Sequence, residues 1–467
     1  MTRRPLRLLG LLLIASVASA PLVAQAGKFD LEKTKTVLSG LIEKAIKERG
    51  VPSISIALVK GDSIVWKAAF GYANVRTRTP ATTETIYSTG STFKSATATA
   101  LMQLQEQGKF DLDQPVNQYL GDTQVQDRLQ SDKPVTFRHM LTHWSGLIAG
   151  AVTKPLWGRE LPKTLDKMVS GLYSVRAPEA KWEYNNFAFG MAGLLVEKLS
   201  GMEYEKYMVE NVLKPLGVTT AHPVYPSPEM VELMALPYEP GGAKGHPNPV
   251  AQVHFDVYPA GDIYLTAEDM ARFLGAHLNG GVWHGRRILS EASIKTAHEA
   301  AFGGTYAFGW AVSKDPSGHT ILAHSGGIPG QSSMMMGDVD AKVGVYYMSN
   351  SGAPGEIATA AIALLRGEDY HPPAERKGIA VDPSILDRYV GVYELNGIAL
   401  TISREGSGLM VRQGNSPNTN ELLAETPERF FLKDNPAPVT FMKDAAGVVD
   451  RLVIGTGSEA LTAKRRK

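Results

Sequence analysis

The chain of 467 residues contains no cysteine. That one absence excludes disulfides, thiol catalysis and lipid attachment through an N-terminal Cys. An excess of charge is lacking too, with 48 basic residues against 47 acidic ones. Nucleic acid and anionic membrane surfaces select basic proteins, so neither is expected as the main partner. Beyond the first 26 residues no stretch is long and apolar enough to cross a bilayer, and the mature chain is not expected to insert stably in a membrane. No internal repeat is visible.

What is present begins with a leader. Arg3, Arg4 and Arg7 make a basic start, Leu8 to Val17 an apolar run, and Ala24-Gln25-Ala26 a small-x-small cleavage site. A signal peptide over residues 1–26 is expected, and with it a bacterial protein that is periplasmic or secreted. Cutting after Ala26 removes three arginines and leaves 45 basic against 47 acidic residues. The 441 residues that remain of 467 are enough for more than one domain.

Ser53 to Val65 alternates in the strand manner around Gly61-Asp62 and reads as a hairpin. Ser91 to Gln107 is rich in Ala, Leu and Met, has no internal Pro or Gly, and predicts a helix stopped at Gly108. A second helix is expected from Phe187 to Leu199, ahead of Gly201. Residues 223–259 are rich in Pro and Gly without sustained periodicity, and are expected as a long irregular excursion that lines a cleft. Strands return at Thr320 to Ala323 and Val343 to Met348, and a helix from Ile357 to Leu365 closes a first domain over residues 27–366. Residues 367–383, polar and Pro-rich, read as a linker. Residues 384–467 carry short alternating segments separated by Gly, Asn and Pro, the pattern of a small all-β barrel or sandwich. The basic end Lys464-Arg465-Arg466-Lys467 reads as a solvated tail.

Ser91 and Lys94 form the chain's only Ser-x-x-Lys. Three positions apart on a helix, hydroxyl and amine share a face, and the amine is placed to take the proton that makes the hydroxyl a nucleophile. The Ser91 N–H at the positive helix end could also donate to an oxyanion; alternatively, Ser91 is simply an N-cap. Tyr184-Asn185-Asn186 precedes the second helix, where a phenol can relay a proton and an amide can orient its neighbours. Tyr72-Ala73-Asn74 repeats that pattern inside the hairpin region and is assigned to structure. His324-Ser325-Gly326-Gly327, the only His-x-Gly, follows a strand, and its glycines let a substrate backbone come close.

In this order the three motifs resemble the class C β-lactamases and the D-alanyl-D-alanine carboxypeptidase-like serine hydrolases, a likeness covering about residues 35–366. Residues 136–147, from Thr136 through His143-Trp144-Ser145-Gly146-Leu147, and Pro259-Ala260-Gly261-Asp262 share it. The C-terminal β module resembles accessory domains appended to some members. The resemblance implies a mixed α/β (α+β) fold, an antiparallel sheet flanked by helices plus a helical subdomain. It implies Ser91 as nucleophile, Lys94 as base, Tyr184 as relay, Asn186 as orienting amide and His324 in the third-motif position. The oxyanion donors would be the N–H groups of Ser91 and Gly327, with Gly326, Trp144 and Tyr258 on the substrate side. No metal or organic cofactor is implied.

One departure bears on the substrate. Many β-lactamases of this type carry Lys-Thr-Gly where this chain has His-Ser-Gly. A histidine with an ordinary pKa of about 6.5 is mostly neutral at pH 7.5, so the cation that would hold a carboxylate is weakened. Binding of anionic substrates is expected to weaken as pH rises from about 5.5 to 8. The expectation is a carboxylesterase or D-amino-acid peptidase, with a β-lactamase as alternative and a non-catalytic binder of cell-wall fragments as the alternative of another class. His139 and His143 have a zinc-compatible spacing, but Met140 stands where a metalloprotease needs Glu, so both are taken as structural. Ser325 sits in a variant of the nucleophile elbow, yet the residues after it do not form the helix an elbow enters.

Overall fold

The computed structural model describes residues 28–149, 164–219, 228–242, 246–372, 376–395, 398–414, 419–432, 435–455 and 460–466. The expected signal segment 1–26 lies outside the described residues. The first domain uses helices α1 (Leu31–Arg49), α2 (Lys94–Glu106), α3 (Asn186–Ser200), α4 (Ala267–Leu278) and α5 (Glu356–Arg366), with shorter helical turns between them. Its main strands are β1 (Ser53–Lys60), β2 (Ile64–Asn74), β3 (Thr79–Pro80), β4 (Ala311–Lys314), β5 (Thr320–Ile328), β6 (Gln331–Asp338) and β7 (Val343–Ser349).

These strands form one sheet in the order β4-β5-β6-β7-β1-β2-β3, every pair antiparallel. The expected hairpin is β1–β2, with Leu58 opposite Trp66 and the turn closed from Lys60 N–H to the Ser63 carbonyl at 3.0 Å. β1 is buried along nearly its whole length because both faces of the sheet are covered. Ile54, Ile56 and Leu58 enter a core shared with α1 and α5, while Ala57 and Val59 face the larger core of the helical side. Gly337 and Gly344 leave room on that second face for Leu274 and Leu278 of α4.

α2 runs through the middle of the helical side, and every residue from Lys94 to Met102 is buried. Its Ala- and Thr-rich composition is what lets other elements approach it so closely. The helix begins at Lys94, after a 3-10 turn over Gly90–Phe93 that holds Ser91. α3 is capped by the Asn185 side chain, which accepts from the Ala188 N–H, and ends at left-handed Gly201.

Residues 223–259 are less irregular than their composition predicts. Their described part contains a short helix (Pro228–Val231) and a two-stranded hairpin (Tyr238–Gly242 with His246–Pro249). Tertiary contacts override the Pro-rich composition here: the Tyr238 N–H donates to both the Gly330 and Asn350 carbonyls, and the Tyr238 hydroxyl accepts from the Val75 N–H.

The C-terminal module is a closed eight-stranded barrel: β8 (Gly391–Leu395), β9 (Ile398–Glu405), β10 (Gly408–Gln413), β11 (Asn420–Ala424), β12 (Arg429–Leu432), β13 (Asn435–Lys443), β14 (Val449–Ile454) and β15 (Leu461–Arg465). Tyr389 stacks on Phe441 inside it, Phe430 and Tyr393 meet Phe441 edge-on, and Ile402, Leu409 and Leu452 fill the same core. The solvated-tail expectation is overturned, because Leu461–Arg465 is the strand that closes the barrel on β8, with Tyr393 opposite Arg465. Ala463 is its one fully buried side chain, too small to register as an apolar alternation among lysines and arginines. Within the expected linker, the Ile379 N–H donates to the Ala424 carbonyl and Arg376 lies over the Phe431 ring, so that stretch packs on the barrel. No helix among the described residues is long and apolar enough to cross a membrane.

Candidate active site

The turn into α2 places Ser91 at the start of the helix and Lys94 one turn further. The Lys94 Nζ lies 3.0 Å from Ser91 Oγ and 2.8 Å from the carbonyl oxygen of Ala260. Its side chain is fully buried between the rings of Tyr184 and Phe189, 4.9 and 5.6 Å from their centroids. Burial pushes the amine well below its ordinary pKa. An uncharged amine that donates one N–H to Ala260 keeps its lone pair for the Ser91 proton.

Ala260 arrives on a turn (Tyr258–Ala260) wedged between α2 and α3. Thr97 Oγ1 donates to the Pro259 carbonyl at 2.7 Å, and Gly193 of α3 leaves the space that the Pro259 ring occupies. Gly261 follows at φ 145, where a Cβ would collide with the Gly90 carbonyl and stand 2.8 Å from the Ser91 nitrogen. A backbone carbonyl has no signature in sequence, so the role of Ala260 was not legible there.

On the other side, β5 passes Ser91 at backbone distance. A Cβ on Gly90 would lie 2.8 Å from the Gly327 nitrogen, and one on Gly326 would collide with the Thr89 carbonyl and Ser333 Oγ. Gly327 itself is exposed and faces open space. The backbone around Gly90-Ser91 and that around Gly326-Gly327 are thus brought close together. Strand β4 pairs with β5 only as far as Ala323, so Ser325 to Ile328 have no strand partner on that side among the described residues. Ser325 is exposed in a hairpin with β6, and no helix follows it.

Tyr184 stands over Lys94, and its hydroxyl is buried. Burial pushes its pKa up to about 12, and the Ser91 hydroxyl opposes that rise. Asn186 is the first residue of α3, and no hydrogen bond joins its side chain to Lys94 among the described residues. Its neighbour Asn185 does the holding: Nδ2 donates to the Leu147 and Ile148 carbonyls at 3.3 and 3.1 Å, and its N–H donates to His143 Nδ1 at 3.1 Å.

His324 is buried on β5, where its Nδ1 lies 2.7 Å from the Ser325 carbonyl and its Nε2 2.7 Å from the Tyr306 hydroxyl. A carbonyl only accepts, so Nδ1 carries the proton, and Tyr306 donates to Nε2. Burial first, then the nearby Lys94, lowers its pKa to about 3. This overturns the expectation of a histidine titrating between pH 5.5 and 8: the sequence showed an unshifted imidazole, and the fold enclosed it. Tyr306, missed in the sequence, is buried, and its ring centroid is 6.3 Å from Tyr184 and 4.5 Å from His143. His143 is likewise buried, with burial, Lys94 and His324 all pushing its pKa down.

The remaining expected side chains stand further back. Trp144 packs edge-on against Phe302 at 6.1 Å between centroids and lies by Gly304. The Tyr258 ring is 5.8 Å from Tyr204, on the helical side. No hydrogen bond or ring contact joins either to Ser91 or Lys94 among the described residues. His139 is tied to Thr136 and Glu179, His143 lies past the end of the short helix Phe137–Leu141 at φ 67, and no three-ligand metal cluster occurs among the described residues. Tyr72 and Asn74 are engaged with Arg78 and Thr77.

Comparison with known proteins gives this geometry its family. The β-lactamase family matches residues 38–367, and a domain of unknown function, DUF3471, matches residues 375–463. A penicillin-binding protein of Bacillus subtilis is 28% identical over 442 residues, covering 88% of this chain and 95% of its own. The octameric penicillin-binding protein homologue from Pyrococcus abyssi superposes with a TM-score of 0.62 at 25% identity, over 91% of this chain and 99% of that one. EstCE1, titled a hydrolase with promiscuous acyltransferase activity, shares the fold at a TM-score of 0.59 and 19% identity, over 72% of this chain and 98% of its own. The chain belongs to the β-lactamase family of serine β-lactamases and penicillin-binding proteins, and is a serine hydrolase.

Proposed function

We propose that the protein is an exported acyl-enzyme hydrolase of small esters or amides, a carboxylesterase or D-amino-acid peptidase. Ser91 is the nucleophile and Lys94 its base. The observation that carries this reading is the Lys94 amine, fully buried and held by Ser91 Oγ and the Ala260 carbonyl.

Lys94 takes the Ser91 proton as Oγ bonds to the acyl carbon, and the oxygen that gains charge is met by the N–H groups of Ser91 and Gly327. As the tetrahedral species collapses, the bond to the leaving group breaks and Tyr184 hands it a proton, which Lys94 restores to the phenol. Water then attacks the acyl-enzyme and gives a proton to the same base, which returns it to Ser91 Oγ as the bond to the acyl carbon breaks and the acid is released. The chain's own groups suffice for each step. General base catalysis supplies roughly 10²–10⁴-fold, and one oxyanion donor about 10²–10³-fold.

An uncharged His324 speaks for neutral substrates over β-lactams, which carry a carboxylate. Export rests on the basic-then-apolar leader, and a mature N-terminus at Gly27 is the outcome that supports it. A fluorophosphonate probe read by intact mass tests the nucleophile: one adduct, lost in Ser91→Ala, is expected. Retained turnover of a nitrophenyl ester in Ser91→Ala would sink the assignment, and absence of any adduct would favour a non-catalytic binder. Penicillin, a D-Ala-D-Ala peptide and short-chain esters assayed side by side decide the acyl group.

A further inference from the structure

We infer that Tyr306 sets the substrate class of this site: it holds His324 as an imidazole with no N–H free for a substrate, so that acyl groups bearing a carboxylate are rejected and neutral ones accepted. The inference rests on the proposed hydrolase reading and adds a specificity-determining residue to it.

Both ring nitrogens of His324 are spoken for within the protein. Nδ1–H donates to the Ser325 carbonyl, and Nε2 accepts from the Tyr306 hydroxyl, each at 2.7 Å. An imidazolium would need to donate from Nε2, and the Tyr306 hydrogen would then have to find another acceptor. Among the described residues, the ionisable groups around His324 offer no counter-charge. Lys94 reaches toward it from α2, Tyr184 from the loop before α3, and His143 from the loop after Phe137–Leu141. Across the sheet stands Met335 of β6. All are bases, phenols or apolar, and none carries the negative charge that would favour an imidazolium. The third-motif side chain therefore adds shape and not charge. The rim agrees: Trp182, an exposed apolar ring, lies 6.2 Å from Tyr306 and 5.9 Å from His143 between centroids, a surface suited to an uncharged acyl chain.

The test compares 4-nitrophenyl butyrate with the mono-4-nitrophenyl ester of succinic acid, whose acyl group carries the carboxylate. The quantity read is the ratio of their kcat/KM values within one enzyme, so that a general loss of activity cancels. In the wild type a preference of at least about tenfold for the neutral ester is expected, the same at pH 5.5 and pH 8. In Tyr306→Phe the freed Nε2 can take a proton once the succinyl carboxylate docks beside it and supplies the counter-charge that burial and Lys94 otherwise outweigh, and the ratio at pH 5.5 is expected to drop at least about fivefold below its pH 8 value. An unchanged ratio in Tyr306→Phe overturns the inference. Should that variant not fold, long-range ¹H–¹⁵N spectra of wild-type protein labelled at histidine decide: His324 must keep a protonated Nδ1 and a bare Nε2 from pH 5.5 to 8, and a titration in that window overturns the inference too. Failure of the hydrolase reading is separately visible, as no turnover and no fluorophosphonate adduct with the His324 spectrum as expected.

Discussion

Lys94 Nζ lies 2.8 Å from the Ala260 carbonyl oxygen, so a backbone acceptor and not a carboxylate anchors the amine that faces Ser91. A carboxylate would stabilise the ammonium and spoil the base; a carbonyl accepts an N–H from either form. The acylation rate should therefore rise with pH along a single limb as the ammonium gives up its proton, with a midpoint well below the 10.5 of an ordinary lysine. Lys94→Arg keeps a donor but stays charged at every working pH. Its kcat for a nitrophenyl ester should fall by about 10²–10⁴-fold. Pre-steady-state burst rates measured from pH 5 to 10 check both, and a flat profile would count against Lys94 as base.

The same burial has a cost in stability. Between the lowered folded pKa of Lys94 and its unfolded value of 10.5, the unfolded chain binds the extra proton, so stability rises with pH across that window. Lys94→Met removes the amine and keeps an apolar side chain of similar shape. It should melt higher than wild type at pH 7, by at least about 2–4 °C for ~1 kcal/mol in a domain of this size, and the gain should shrink as pH approaches 10.5. Calorimetry at three pH values reads this, and a gain independent of pH would mean that the amine is not titrating.

Gly261 tests the turn that carries Ala260. At φ 145 a side chain is strained, and its Cβ would collide with the Gly90 carbonyl. Gly261→Ala should push the 258–261 turn off the Ser91 backbone and disturb both the lysine anchor and an oxyanion donor. A fall in kcat of about 10²-fold with a smaller change in KM is expected. If KM alone changed, the turn would serve binding and not chemistry.

What could be read from sequence is what side-chain type announces. Ser91, Lys94, Tyr184 and His324 sit in short motifs, and the structure brings all four side chains to one cluster. The hairpin β1–β2 and helices α2, α3 and α5 were legible because their periodicity is local. Three things were not. Ala260 acts through a carbonyl that any residue could supply. Tyr306 lies in a loop with no motif, and its partnership with His324 exists only once β4 and β5 are paired. The strand Leu461–Arg465 hides its inward face in a single alanine.

Asn185 and Asn186 can be told apart by what each one loses. Asn185 caps α3 and holds the Leu147 and Ile148 carbonyls, all inside the protein. Asn185→Ala should cost about 1–3 kcal/mol in denaturant unfolding, since buried partners are left unpaired. Asn186 has no such partners among the described residues, so Asn186→Ala should stay within about 0.5 kcal/mol of wild type. A drop in kcat for Asn186→Ala at unchanged stability would place it on the substrate. Unchanged kcat would remove it from the site.

Barrel closure can be separated from the hydrolase domain by where the tryptophans are. All six lie before residue 311, and none is in the barrel. Arg465 donates to the carbonyls of Val390, Arg388 and Val449 and covers the Tyr393 ring, fastening β15 to both its neighbours. Arg465→Leu leaves those carbonyls without that donor, and deleting residues 461–467 exposes two unpaired edges, on β8 and β14. Arg465→Leu should lower the urea midpoint seen by proteolysis of residues 376–466 and leave the tryptophan-emission midpoint in place. The deletion should aggregate. If tryptophan emission shifted together with proteolysis in Arg465→Leu, barrel and hydrolase domain would unfold as one cooperative unit.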